Sequence, residues 1–154
     1  EEMLERDQAY RTQWILSRQL HHEETQYDIA LRLRADSIDS LNQVDIRQIL
    51  KEHGFPKKTE VGTSACEAAW IIIQHAPLDV QKEYLPMLER AATEGNIQAA
   101  LVAALHDRID VREGRPQKYG TQRNHNGICP LLNKKMVNQW RKEVGLPPLD
   151  EYSK

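Results

Sequence analysis

Apolar residues recur along most of this chain at spacings of three and four. Gly and Pro fall mostly between those stretches, a layout that predicts helices. Over 3–20, Met3, Tyr10 and Trp14 share one face of an amphipathic helix, and Asp7 falls on the same face. Residues 21–35 are polar and weakly patterned, with His21 beside His22; they either prolong that helix or break it. A second helix is expected from about Asp36 to His53, with Leu41, Val44, Asp45, Gln48 and Ile49 on one side and Leu50 widening the stripe. Gly54 suits the position just past its end, and Pro56 cannot continue it.

The third helix has the plainest signature. Ser64-Ala65-Cys66-Glu67 reads as a capping box, in which the Ser hydroxyl and the Glu carboxylate satisfy each other's backbone N–H groups. Ala68, Ala69, Trp70, Ile71, Ile72 and Ile73 follow, apolar nearly all round, as in a buried helix. A buried strand through Trp70–Ile73 is the rival; the cap and the alanines favour helix. Pro77 opens a fourth segment over 78–94, which Pro86 should kink or split and Gly95 should end. Asn96 is placed to cap a fifth helix from Ile97 to about Arg112, closed by Gly114. Residues 115–132 lack periodicity and form a long loop of the kind that often carries function. A last helix is expected from Leu132 to Val144, closed by Gly145, with Pro147 and Pro148 fixing an extended tail. No internal repeat is visible. The expectation is an all-α, compact single-domain bundle of five to six helices spanning 1–154, with a long polar loop near 114–131.

Composition narrows the partners. The 154 residues carry 21 Lys+Arg against 23 Asp+Glu, a net charge of −2, which argues against nucleic-acid binding by bulk charge. No run approaches the roughly 20 apolar residues that span a bilayer, so a soluble protein is expected. No signal peptide is recognisable. The chain starts at Glu1 rather than Met; if an N-terminal segment has been removed, cytoplasmic and extracytoplasmic locations are both open. Cys66 and Cys129 have no zinc-ligand spacing. Cys66 reads as a small core residue, with a Cys66–Cys129 disulfide as the alternative.

Three places put polar groups where the pattern expects apolar ones, which costs free energy unless they are paired. Arg108 continues the face of Leu101, Ala104 and Leu105, with Asp107 beside it. It is either half of a structural ion pair or a guanidinium fork for a carboxylate or phosphate on a ligand. Gln74-His75 ends the buried helix and His53 ends the second, so two imidazoles could meet at one rim. Each either bonds the last carbonyls of its helix or serves as general acid or base. The loop Gly114–Gln122 is rich in donors and acceptors, and Gln117, Tyr119, Thr121 and Gln122 could face a ligand; an ordinary surface loop is the plain alternative. Asp7 and Arg11 form an (i, i+4) pair whose Asp shares the inward face. A cation held by His53, His75 and Asp107 is conceivable, but no ligand spacing supports it, and no metal site is assigned.

Taken in order, His53-Gly54-Phe55-Pro56, Val61-Gly62, Gln74-His75-Ala76, Asp107-Arg108 and Gly114-Arg115-Pro116-Gln117-Lys118-Tyr119-Gly120-Thr121-Gln122 resemble a bacterial family of unknown function. Its pattern runs HGWP, VG, QHA, DR and GxPQxYGTQ. The Asp7-Gln8-x-x-Arg11 start and Asp39 and Asn42 also fit, as does the stretch from Val137 to Tyr152. Phe55 stands where that family has Trp, Asn138 where it has Asp, and residues 18–35 have no counterpart. The resemblance implies positions and not a reaction.

Together these observations suggest a hydrolase or group-transfer enzyme using histidine acid–base chemistry on a polar or anionic small molecule or modified polymer. His53, His75 and Asp107 are its candidate catalytic residues. Arg108, Gln74, Gln117, Tyr119, Thr121, Gln122, Asp7, Arg11 and Asn42 are its candidate substrate contacts. The other reading is a non-catalytic binding module whose polar cluster is structural. The sequence names no cofactor and no oligomeric state.

Overall fold

The computed structural model describes residues 2–20 and 23–149. His21, His22 and the closing Asp150-Glu151-Tyr152 lie outside the described residues. The class is all-α: seven helices and one two-residue hairpin among the described residues. The helices are α1 (Glu2–Leu20), α2 (Gln26–His53), α3 (Lys58–Val61), α4 (Thr63–His75), α5 (Leu78–Thr93), α6 (Ala99–Arg112) and α7 (Val137–Glu143). The hairpin pairs β1 (Arg123–Asn124) antiparallel with β2 (Gly127–Ile128).

The core is built mainly by α2, α4, α5 and α6. Ile46, Leu50, Trp70, Ile72, Ile73, Val80, Tyr84, Leu88, Leu105 and Ile109 form its continuous part. The apolar run of α4 is helical, with Cys66, Ala68, Ala69, Trp70, Ile72 and Ile73 buried. Trp70 donates from Nε1 to the Leu101 carbonyl, 3.1 Å, and this bond ties α4 to α6. α5 runs unbroken through Pro86. The helix bond that Pro removes is to the carbonyl of Lys82, which is exposed, so water can take its place.

Several expectations need correction. α2 begins at Gln26, ten residues before Asp36, because Thr25 and Asp28 form the real capping box. Its buried face is Leu31, Ala35, Asn42, Ile46 and Leu50, whereas Leu41 and Val44 are 57% and 66% exposed. The period was right and the face was wrong, because buried Asn42 disguised the inward stripe. Ser64 caps nothing: Gly62, at φ 82°, leads into α4 two positions ahead of it, so Ser64 lies inside the helix. Asn96 instead accepts from the Lys58 amide and donates to Glu94, while Gln98 precedes α6. α3 was not foreseen, and α7 is shorter than the expected 132–144. Cys66 and Cys129 are both buried free thiols, so the disulfide alternative is not realised.

Candidate active site

α1 and α4 meet through polar groups. Asp7 is 1% exposed, on the inward face with Met3, Tyr10 and Trp14. His75, the last residue of α4, places Nδ1 3.0 Å from Asp7 Oδ1 and 3.1 Å from Oδ2. An ionised carboxylate only accepts, so Nδ1 carries the hydrogen and, in the neutral ring, Nε2 keeps its lone pair. Nε2 has no protein partner among the described residues. His75 lines a cleft of about 570 Å³, together with Asp39, Gln43, Ala76 and Arg112. That volume falls in the range of small-molecule sites.

A second carboxylate enters from α2. Arg11 Nη2 donates to both oxygens of Asp39 at 2.7 Å, while Arg11 Nε stands 3.6 Å from Asp7 Oδ2. Gln8 Nε2 also donates to Asp7. The two acids respond in opposite directions. Burial pushes Asp7 up, but the hydrogen bond and positive charge of His75, then Arg11, outweigh it and hold its carboxyl below the ordinary value. At Asp39 burial wins: the Arg11 bond and charge do not fully offset it, the Asp7 charge adds to it, and its carboxyl lies above the ordinary value.

Arg108 is half-buried on α6, and its Nε is buried without a hydrogen bond. Burial first, then the like charges of Arg112 and Arg11, lower its pKa. No carboxylate among the described residues pairs with it, so the structural ion-pair alternative is not realised. Arg112, one turn further along α6, donates to the Ala76 carbonyl at 3.1 Å and so reaches the residue next to His75. Gln74 Oε1 is likewise buried without a partner.

Asp7, Asp39 and His75 bring one donor atom each within 4.8 Å of one another, a set that could hold a cation. Those atoms are already engaged with each other and with Arg11, whose fixed positive charge disfavours a metal ion there. The set also differs from the conceivable His53, His75 and Asp107.

The remaining candidates are placed elsewhere. His53 is 73% exposed beside Glu52 and lines a depression with Gly54, Phe55 and Val61 that shares no residue with the His75 cleft. The two helix-ending histidines do not share a rim. Asp107, 0% exposed, neither orients an imidazole nor meets Arg108. Its carboxylate accepts from the Lys118, Tyr119 and Thr121 amides at 2.8, 2.9 and 2.9 Å, and from the Thr121 hydroxyl at 2.9 Å. Gln117 is equally buried; its Nε2 donates to the Gln122 and Cys129 carbonyls, and its Oε1 accepts from the Gln122 amide. Gln122 Nε2 reaches the Ala104 carbonyl, and the Tyr119 carbonyl accepts from Arg141. Gly120 permits this turn: its φ is 70°, and a Cβ there would stand 3.1 Å from Leu131 and 3.2 Å from Leu149. The expected ligand loop is therefore knotted onto α6 by its own polar groups. Asn42 is also structural, accepting from Arg6 Nε and Nη2 at 2.9 and 2.6 Å.

Sequence reasoning assigned no role to Asp39 or Arg112. Asp39 follows Ala35 by four and precedes Asn42 by three, a spacing that marks it once the buried face of α2 is known. A family model described as a family of unknown function (DUF6624) matches residues 2–154. No curated protein and no solved structure matches the chain.

Proposed function

This chain belongs to the family of unknown function DUF6624, and from that premise we propose that it is a hydrolase or group-transfer enzyme whose general base is His75, oriented by Asp7. The observation that carries the reading is the asymmetry of the imidazole. One nitrogen is fixed by a carboxylate that is 1% exposed, and the other is left without a protein partner in a residue that lines a cleft. A general base needs that arrangement, with one ring nitrogen held by a carboxylate and the other open to a proton. In the hydrolytic form, Nε2 takes a proton from water while the water oxygen bonds the electrophilic centre. The proton then passes from Nε2 to the departing group as its bond breaks. Asp7 holds the Nδ1–H tautomer and stabilises the imidazolium in between. Arg11, held by Asp39, fixes the position of Asp7, and Arg112, which lines the same cleft, supplies a polar group for a polar or anionic small molecule or modified polymer.

A non-catalytic binding module is the second reading. The closed Asp107–Gln117 knot favours it for the loop half of the expected site.

The test is turnover of a panel of p-nitrophenyl acyl and phosphoryl esters by wild type, His75→Gln, Asp7→Asn and His53→Ala. The expected result is activity lowered by about 100-fold or more in His75→Gln with its melting transition intact, as loss of a positioned base gives. Asp7→Asn should fall in the same direction, and His53→Ala should match wild type. A His75→Gln protein that turns substrate over at the wild-type rate overturns the proposal.

A further inference from the structure

Two depressions outside the His75 cleft share Ile49 and Glu52 of α2, and so adjoin as one groove. Neither shares a residue with the cleft. The apolar floor is Ile49, with Met3 of α1 on one side and Phe55 and Val61 on the other. Ile49 and Val61 are 38% and 51% exposed. Single exposed apolar residues need no partner, but these are gathered in a hollow. Its charges are one-sided. Glu2, Asp45, Glu52 and Glu60 line it, against Lys57 and the His53 imidazole. Asp45 is paired with Arg6 and Glu60 with Lys57. Glu52 has only His53, at 3.7 Å, and Glu2 has no ion-pair partner among the described residues.

The same chain carries the complementary element. No Asp or Glu occurs over 114–142. Within that stretch Leu132 is 57% exposed. Lys134 and Lys135 next to it are exposed, and neither has an ion-pair partner among the described residues. The turn is held before any partner arrives: the Leu132 amide donates to the Gln117 carbonyl at 2.8 Å, and Asn133 Oδ1 accepts from the Lys135 amide at 2.9 Å. We infer that this groove docks a second copy of the chain. Leu132 of one copy enters over Ile49 of the other, and Lys134 and Lys135 meet Glu2 and Glu52. The apolar contact supplies attraction, and the two ammonium–carboxylate pairs select which surfaces meet. Exposed pairs are individually weak and screened by salt, so the contact belongs to the weak, salt-sensitive class. Every copy carries both halves, so they are exchanged reciprocally in a closed pair or run head to tail. The groove lies apart from the His75 cleft, and the contact is independent of the chemistry proposed there.

The experiment is sedimentation velocity of the full chain over about 10 μM to 1 mM, the range that populates weak complexes. It is run at about 0.05 M and about 0.5 M sodium chloride, which brackets the screening of exposed charges. The variants are Glu2→Lys/Glu52→Lys, Lys134→Glu/Lys135→Glu and Leu132→Ser. All five positions are exposed, so each variant should fold, and thermal melting checks it. Wild type should associate as concentration rises, at least about 10-fold more weakly at the higher salt. Each charge-reversed variant alone, and Leu132→Ser, should be weakened by at least about 10-fold at low salt. An equal mixture of the two charge-reversed variants should return to within about 3-fold of wild type, because one then carries positive charge on both halves and the other negative charge on both. A wild type that stays monomeric throughout, wild-type association in any single variant, or a mixture no stronger than its components would overturn the docking.

Discussion

Replacing Arg108 by methionine should make the folded protein more stable. Arg108 is half-buried, its Nε has no acceptor, and the neighbouring charges repel it. Leaving a polar group buried without a partner costs about 1–3 kcal/mol in protein mutational data. Because part of the side chain reaches solvent, the low end of that range applies, so a gain of about 1–1.5 kcal/mol is expected. Methionine keeps an unbranched stem of similar length, so the packing of the aliphatic part is largely retained. For a chain of this size each kcal/mol moves Tm by roughly 2–4 °C, and the rise should be about 2–6 °C. The assay is far-UV circular dichroism melting, with urea unfolding alongside, in a chloride buffer free of phosphate. A variant destabilised by more than about 1 kcal/mol would refute the reasoning, since it would mean that Arg108 already has a partner that holds it.

Two further outcomes follow from the same contacts. Asp107→Ala removes the acceptor of three backbone amides, each worth about 1–3 kcal/mol when left unsatisfied. With partial rescue by water, a loss of about 3–5 kcal/mol and fast exchange of the Lys118, Tyr119 and Thr121 amides are expected; urea unfolding and hydrogen exchange check both, and a loss under about 1 kcal/mol would deny the carboxylate its structural role. Asp7→Asn breaks a buried pair and should cost about 3–5 kcal/mol at pH 7. The folded-state pKa of Asp7 is depressed, so its stabilisation is present above the unfolded value of about 3.9 and is lost as pH falls through the folded value. Asp28, pulled down to about 2 chiefly by the Ser17 and Thr25 side chains, contributes with the same sign. Urea midpoints should therefore fall steeply between about pH 4 and pH 2 in wild type and less steeply in Asp7→Asn. Equal slopes would show that the Asp7 carboxyl is not depressed by folding.

The helices were legible where a 3.6-residue period coincided with Gly or Pro near the ends, as in α5 and α6, and α1 was legible from its period alone. α2 was misjudged twice for one physical reason: its inward face carries polar side chains. Asn42, read as a substrate contact, and Asp39 were left out of the inward stripe, and the stripe of Leu41, Val44 and Ile49 was taken for the core instead. At the site, Asp7, Arg11, His75 and Arg108 stood out as polar residues on apolar faces, and the structure brings the first three together, with Arg108 within electrostatic reach of Arg11. The loop was misleading because a segment that binds a ligand and a segment that binds itself need the same donors and acceptors. Gln117 and Asp107 satisfy the backbone of residues 117–122, and no pattern in one sequence separates those two uses. Asp39 and Arg112 reach the cleft only through helix packing, a tertiary property.

The way α1 is attached bears on why these polar groups sit where they do. Its buried residues are Asp7 and Ser17, and neither is apolar. α1 is tied to its neighbours by Arg6 to Asn42 and Asp45, by Arg11 to Asp39, and by Asp7 to His75. Apolar residues of similar volume would commonly hold such a contact as well or better, by about 1–4 kcal/mol where a buried ion pair is replaced. What the charged set supplies in return is direction. Each hydrogen bond fixes the rotation and the height of α1, and a slip of one residue would take Asp7 away from Nδ1 and Arg11 away from Asp39. Docking the helix and aligning the imidazole are thus the same interactions. Elements that serve binding are drawn from the less stable part of a fold, and α1, with few apolar anchors, has that character. Stability is thus given up at Asp7 and Arg11 in the corner of the bundle where the proposed base lies, and the same contacts that dock α1 set the direction of the His75 ring.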